Sequence, residues 1–136
     1  MDGLTIGDVA KRANVRIETL RYYERRGLVA RPRRSMSNYR LYPEDTVRRV
    51  QFIKHAQHLG FSLKEIIELL ALWAEPTAQC ADVRACAIAK IHAIADKMRT
   101  LQAMQNALLQ LVTACAGDHP LTDCPILASL DKEITS

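Results

Sequence analysis

Between Ala81 and Ala114 the chain has neither proline nor glycine, and apolar residues recur along it at alternating intervals of three and four. Ile91, Ile94, Met98, Leu101, Leu108, Val112 and Cys115 carry the repeat, with Gln105 as a polar break. This is the pattern of a coiled-coil seam on one long helix. A stripe of that length needs a partner, because the N-terminal part of the chain is too small to cover it. The alternative is a long core helix of a monomeric bundle, for which no second long helix remains.

Cys80 and Cys115 stand at the two ends of this stretch, and Cys124 follows shortly after. At a rise of about 1.5 Å per residue, a continuous helix would hold Cys80 and Cys115 roughly 50 Å apart. No single metal ion bridges such a distance. Two of these helices packed antiparallel would instead bring Cys80 of one chain beside Cys115 and Cys124 of the other. All four cysteines lie in the C-terminal half. In a reducing cytosol they are expected as thiols, which points to metal or redox chemistry rather than structural disulfides. Met1-Asp2-Gly3 opens directly onto a helical pattern, and no apolar run is long enough to span a bilayer. A cytoplasmic protein without a membrane partner is expected.

Charge divides the chain differently. Residues 1–60 carry 13 Lys and Arg against 6 Asp and Glu, a balance of +7, whereas residues 61–136 carry 6 against 9, a balance of −3. A local excess of that size suggests nucleic acid or another anionic surface, the alternative being a solvated charged face.

Thr5 is a plausible N-cap, with Ile6, Val9 and Ala10 at helical spacing behind it. Ala13-Asn14-Val15 breaks the pattern as a tight turn, and a second short helix over Ile17–Arg26 ends at Gly27. Two short helices joined this way form a helix-turn-helix. The second carries Arg21, Arg25 and Arg26 beside Tyr22 and Tyr23, a set suited to a major groove and its phosphates, with Tyr23 expected to pack inward. Residues 30–42 read as a basic hairpin, or wing, whose Arg31, Arg33, Arg34 and Arg40 would lie along a phosphate backbone.

Pro43 suits the first turn of a third helix, with Val47, Val50, Phe52, Ile53, Ala56 and Leu59 on its apolar face before Gly60. Ser62 and Glu65 form a capping-box pattern opening a fourth helix, Leu63 to about Trp73, whose Ile66, Ile67, Leu69 and Leu70 should face the core. Glu75-Pro76-Thr77 breaks the chain before the long helix. Ala116 to Asp123 reads as a loop, and Pro125 to Leu130 as one short helical turn. The fold class is mostly α, in three parts. Residues 1–75 are expected as a winged helix-turn-helix domain suited to DNA, 76–115 as a dimerisation coiled-coil helix, and 116–136 as a loop with a short terminal helix.

Five segments together resemble the MerR family of bacterial transcription regulators: Leu4-Thr5-Ile6-Gly7-Asp8-Val9-Ala10, Thr19-Leu20-Arg21-Tyr22-Tyr23-Glu24, Gly27-Leu28, Asn38-Tyr39-Arg40-Leu41-Tyr42 and Leu59-Gly60-Phe61-Ser62-Leu63. The resemblance covers essentially the whole chain. It implies a winged-helix DNA-binding domain, an antiparallel coiled-coil homodimer and an effector site near the coil's end. It also implies activation with RNA polymerase at a promoter whose overlong spacer the dimer bends and untwists. On double-stranded DNA with an inverted-repeat operator, it implies contacts from Arg21 and Tyr22 of the second helix and from Arg34, Tyr39 and Arg40 of the wing.

The segment from Cys115 through Asp118, His119 and Cys124 to Leu127 is similar to the metal-binding loop of the family's metal-sensing branch. Sensors of monovalent copper, silver and gold typically have serine where this chain has Cys80, and sensors of divalent ions have cysteine. Three thiolates suit a soft dication such as Hg(II), Pb(II), Cd(II) or Zn(II), since a dication prefers three or four ligands. The implied cofactor is one such ion per thiolate site, two per dimer, held by Cys80, Cys115 and Cys124, with His119 a candidate fourth ligand. The cysteine intervals match the mercury and lead regulators, while Ala116-Gly117-Asp118 resembles the copper branch and the doubled cysteine of the zinc regulators is absent. Cys86 lies off the seam as a bystander thiol, and His55, His58 and His92 read as surface residues. The leading function is a metal-responsive regulator of a resistance or efflux promoter. A redox or electrophile sensor would use the same cysteines. A thiol enzyme, with Cys115 or Cys124 activated by His119, lacks a third orienting group, so no enzyme is expected.

Overall fold

The computed structural model describes residues 3–34 and 40–132, with the backbone alone at 33, 34 and 40. Its elements are α1 (Ile6–Ala13), α2 (Ile17–Arg25), β1 (Arg33–Arg34), β2 (Arg40–Leu41), α3 (Thr46–His58), α4 (Leu63–Ala74), α5 (Cys80–Ala114) and α6 (Pro125–Leu130). They fall into two compact units, Met1–Lys90 and Ile91–Ser136.

The first unit has a single apolar core. Val9, Leu20, Leu28, Tyr42, Val50, Ile53 and Ile66 are its fully buried side chains, drawn from α1, α2, α3, α4 and the chain around the hairpin. Helix α1 starts where Thr5 caps it: the Asp8 N–H donates to Thr5 Oγ1 at 3.1 Å and the Thr5 N–H to Asp8 Oδ2 at 3.1 Å. Asp8 here takes the part that Glu or Gln usually plays in a capping box. The turn into α2 is made at Asn14, whose φ of 57° and ψ of 50° lie in the left-handed region. Asparagine tolerates that region better than most residues. From α3, Lys54 Nζ reaches the turn and donates to the carbonyls of Ala13 (3.2 Å) and Asn14 (2.9 Å). Gly27, at φ 77°, ends α2 as expected.

The wing is an antiparallel pair in which Arg33 faces Leu41 and Arg34 faces Arg40. Its base is tied to the N-terminal segment, because Leu4 and Tyr42 exchange backbone hydrogen bonds of 2.9 and 2.7 Å. That pairing corrects one expectation. The chain is still extended at Tyr42, so Pro43 opens a turn, closed by the Thr46 N–H on the Pro43 carbonyl at 3.1 Å, and α3 begins only at Thr46. Two apolar assignments also change. Leu59 sits in the C-cap position of α3 and is 65% exposed. On α4 the inward stripe is Ile66, Leu69 and Leu70, which leaves Ile67 on an exposed face one step round the helix. The Ser62–Glu65 capping box forms as read, with both hydrogen bonds present.

Helix α5 is continuous over 35 residues and has no buried residue. Its seam side chains Ile91, Met98, Leu101, Leu108 and Val112 are all more than half exposed. After it, the segment expected as a plain loop contains a short 3-10 turn over Leu121–Asp123, and α6 follows with Pro125 in its first turn. Among the described residues, no helix is long and apolar enough to cross a membrane.

Candidate nucleic-acid interface and thiol pair

Helix α2 divides its residues by face. Leu20 and Tyr23 are buried, whereas Arg21, Tyr22, Arg25 and Arg26 are exposed. Tyr23 packs in the core as anticipated, its hydroxyl donating to Gln57 Oε1 at 2.7 Å, and burial raises its pKa. Tyr22 stands among cations. Arg26 Nη1 donates to its hydroxyl at 2.8 Å, and the Arg25 and Arg26 guanidinium carbons lie 5.8 and 5.7 Å from its ring centroid. Such an arrangement presents two guanidinium groups around one phenol, ready for phosphate oxygens. Arg21, Arg25 and Arg31 also line a cleft with Glu24 and Tyr42. Glu24 is held there by the Tyr42 hydroxyl, which donates to its Oε2.

Of the five residues assigned to DNA by resemblance, Arg21 and Tyr22 thus share an exposed face. Arg34 and Arg40 are backbone partners in the wing, and Tyr39 lies outside the described residues. Two of the cations in the +7 balance also hold the fold together. Lys54 holds the helix-turn-helix turn, and Arg49 Nε donates to the Leu28 carbonyl at 2.9 Å. Nothing in the local pattern around Arg49 or Lys54 marks them, since their acceptors lie 21 and about 40 residues away in the chain.

The four cysteines are free thiols. Cys80 is exposed as the first residue of α5. It lines an open, mostly apolar groove of about 650 Å³ with Phe52, His55, Leu59, Phe61, Trp73 and others. His55 is exposed, as expected, and the groove it shares with Cys80 is a tertiary feature. Cys115 follows the last turn of α5, and Cys124 occupies the N-cap position of α6. Cys115 is the nearer thiol to Cys124, and its side chain is the least of the influences that lower the Cys124 pKa. Cys124 makes no strict side-chain capping bond, yet the Leu127 N–H, foremost, and the Ile126 N–H face its sulfur and lower its pKa against the opposing effect of desolvation. An anionic sulfur at a helix start is favoured in this way.

Among the described residues of one chain, no group of three or more His, Cys, Asp and Glu gathers as a metal site. His119 is half exposed, with Nε2 3.7 Å from Asp118 Oδ1. Cys86 is partly exposed on α5, and His58 and His92 are exposed.

Two family descriptions match the sequence: a MerR helix-turn-helix regulatory protein over residues 4–72, and a MerR DNA-binding region over residues 47–111. A mercuric resistance operon regulatory protein from Serratia marcescens is 41% identical, over 98% of this chain and 91% of its own length. Among solved structures, the lead(II)-bound transcription regulator PbrR691 of Ralstonia metallidurans superposes with a TM-score of 0.84 at 35% identity, covering 93% of this chain and 98% of that one. The mercury(II)-bound dual-function regulator MerR of Bacillus megaterium gives a TM-score of 0.75 at 35% identity, with 95% and 100% covered. With its helix-turn-helix, its wing and its long α5 matching along nearly the whole length, the chain belongs to the MerR family of transcription regulators.

Proposed function

We propose that this protein is a metal-responsive transcription regulator. It acts as an antiparallel homodimer that grips an inverted-repeat operator and reads a thiophilic divalent ion at a site shared between protomers. In this reading residues 1–75 bind DNA, 76–115 pair the protomers and 116–136 close the metal site. Arg21 and Tyr22 of α2, with Arg34, Tyr39 and Arg40 of the wing, contact the DNA. Cys80 of one protomer joins the partner's Cys115 and Cys124, with His119 available as a fourth ligand. Two such sites exist per dimer, and the ion is Hg, Pb, Cd or Zn.

The observation that carries this reading is the distribution of the thiols along α5. Cys80 begins the 35-residue α5, whereas Cys115 follows its last residue and Cys124 lies beyond that at the start of α6. A helix of that length runs about 52 Å, so the pair needs its third sulfur from another chain. The exposed seam of α5 supports a second copy as that chain. The donor set also fits the ion: free thiols, one of them already drawn towards the thiolate by backbone N–H groups. When bound, a soft dication would crosslink the start of α5 in one protomer to the C-terminal loop of its partner. Because Cys80 begins α5 beside the groove on the DNA-binding unit, such a crosslink bears on α4 and hence on the spacing of the two recognition helices. RNA polymerase would then read the distorted promoter.

A mixed dimer tests the shared site. One protomer carries Cys80→Ser and the other Cys115→Ser, so both defects fall in one site and the other stays whole. That species should bind about one divalent ion where the wild type binds about two. No tight binding in the mixed dimer would refute the inter-subunit arrangement. Cys115 and Cys124, both free thiols, could also be oxidised to a disulfide, which keeps a redox sensor as the second reading. A promoter response that survives Cys80→Ser and follows oxidant rather than metal would favour it.

A further inference from the structure

The first turns of α5, Cys80–Lys90, belong to the same compact unit as α1 to α4. At the end of that stretch Lys90 reaches back to the start of α4. Its Nζ lies 2.7 Å from Glu65 Oε1, and its ammonium sits 5.6 Å from the centroid of the Phe61 ring. The Lys90 side chain is only 11% exposed, against 40% for Glu65. Glu65 is itself the third residue of α4 and closes its capping box: Oε1 accepts the Ser62 N–H at 2.7 Å while the Glu65 N–H donates to Ser62 Oγ at 3.1 Å. One carboxylate oxygen therefore receives both the capping N–H and the ammonium of α5. Arg99 and Asp96 offer a contrast. They too are paired, but both are about 70% exposed and three residues apart on one helix, so they orient nothing beyond α5 itself.

We propose that Lys90 is a positioning residue: gripping Glu65 and Phe61, it sets the direction in which α5 leaves the DNA-binding helices, and so couples the Cys80 end of α5 to the recognition helix. The coupling half of this statement rests on the metal-responsive reading above; the positioning half does not. The route is short. Glu65 lies one residue before the core residue Ile66, and α4 packs on α3, which packs on α1 of the helix-turn-helix. On the other side, Leu69, Leu72 and Trp73 of α4 line the groove that Cys80, Val83 and Ala87 of α5 also line. An ion pair with one member this deeply covered contributes little net stability over an apolar replacement, so orientation is the property it supplies best.

Two variants separate orientation from folding. Lys90→Met keeps an apolar stem on Phe61 and removes the charge. Glu65→Gln keeps the capping box, in which glutamine serves as well as glutamate. Both are measured alone and together in the full-length protein. Amide exchange over residues 80–90 and the emission of Trp73, the one tryptophan, need no metal. Each variant should shift Trp73 emission and speed exchange over residues 80–90 more than in α1 and α2. In a promoter assay with added Hg(II), Pb(II), Cd(II) or Zn(II), the induction ratio should fall by about threefold to tenfold. Bound ions per dimer and operator affinity without metal should match the wild type, and the double variant should be no worse than the weaker single one. Unchanged exchange and emission would overturn the positioning role. Unchanged induction, or strictly additive losses, would overturn the coupling. A wild type that binds no divalent ion would instead remove the metal reading, and the exchange and emission data would still decide the rest.

Discussion

Lys54 offers the sharpest test of how the DNA-binding unit holds its shape. It rises from α3 and donates to two carbonyls at the end of α1, Ala13 at 3.2 Å and Asn14 at 2.9 Å. Lys54→Met retains most of the apolar stem and deletes both donors. Hydrogen bonds to a charged group contribute about 1.5–3 kcal/mol each when well desolvated. Here one bond is part-buried and the other exposed, and the carbonyls can turn to water instead. The two together are therefore placed at about 1.5 kcal/mol, including a small helix-dipole contribution at the C-terminus of α1. For a unit of this size each kcal/mol moves Tm by about 4–8 °C, so the variant should melt roughly 6–12 °C lower. Differential scanning calorimetry at one fixed protein concentration is the assay, since association would make Tm concentration-dependent. Lys64→Met, at an exposed position of α4, is the control and should stay within about 1 °C. A fall of less than about 2 °C for Lys54→Met, or an equal fall for the control, would refute the assignment of Lys54 as the clasp of the turn.

Three further outcomes are expected. Leu20→Ala removes a side chain with 0% exposure and should cost about 2–5 kcal/mol in urea unfolding, so a loss below 1 kcal/mol would contradict its place in the core. Arg21→Ala should weaken operator binding at fixed salt and lower the salt slope by about one, with an unchanged melting temperature; equal affinity would take Arg21 off the interface. Glu65 is held from 4.5 down to about 2, first by Lys90 and then by the Ser62 N–H. A carboxylate with a lowered folded pKa adds stability that is complete above its unfolded value and is lost as pH falls through the folded one. The gap in stability between wild type and Glu65→Gln should therefore close as pH drops from about 4.5 towards 2, and a gap that widened in acid would reverse the sign of the argument.

Much of this architecture is local and could be read residue by residue. The Ser62–Glu65 capping box, the Thr5 cap, Gly27 after α2 and the uninterrupted run of α5 each depend on neighbours within a turn or two. Periodicity alone likewise marked the apolar stripe of α5 and, through helical rise, led to the expectation that Cys80 and Cys115 join only between chains. Pairings across long stretches of chain could not be read this way. Pro43 missed the start of α3 because Tyr42 is engaged by Leu4, 38 residues earlier. Leu59 and Ile67 have the hydrophobicity of core residues, but which side of a helix is covered depends on what packs against it. Charge was the least legible of all. Arg49, Lys54 and Lys90 look like the other basic residues in composition, yet each is committed to a partner at least 21 residues away. The nearness of Cys115 and of the Leu127 and Ile126 N–H groups to Cys124, which lowers its pKa, belongs to the same class, because a nine-residue spacing fixes neither distance nor direction until the chain between them folds. Short-range hydrogen bonding and helical periodicity are encoded locally; the burial of a face and the partner of a charge are settled only when distant segments meet.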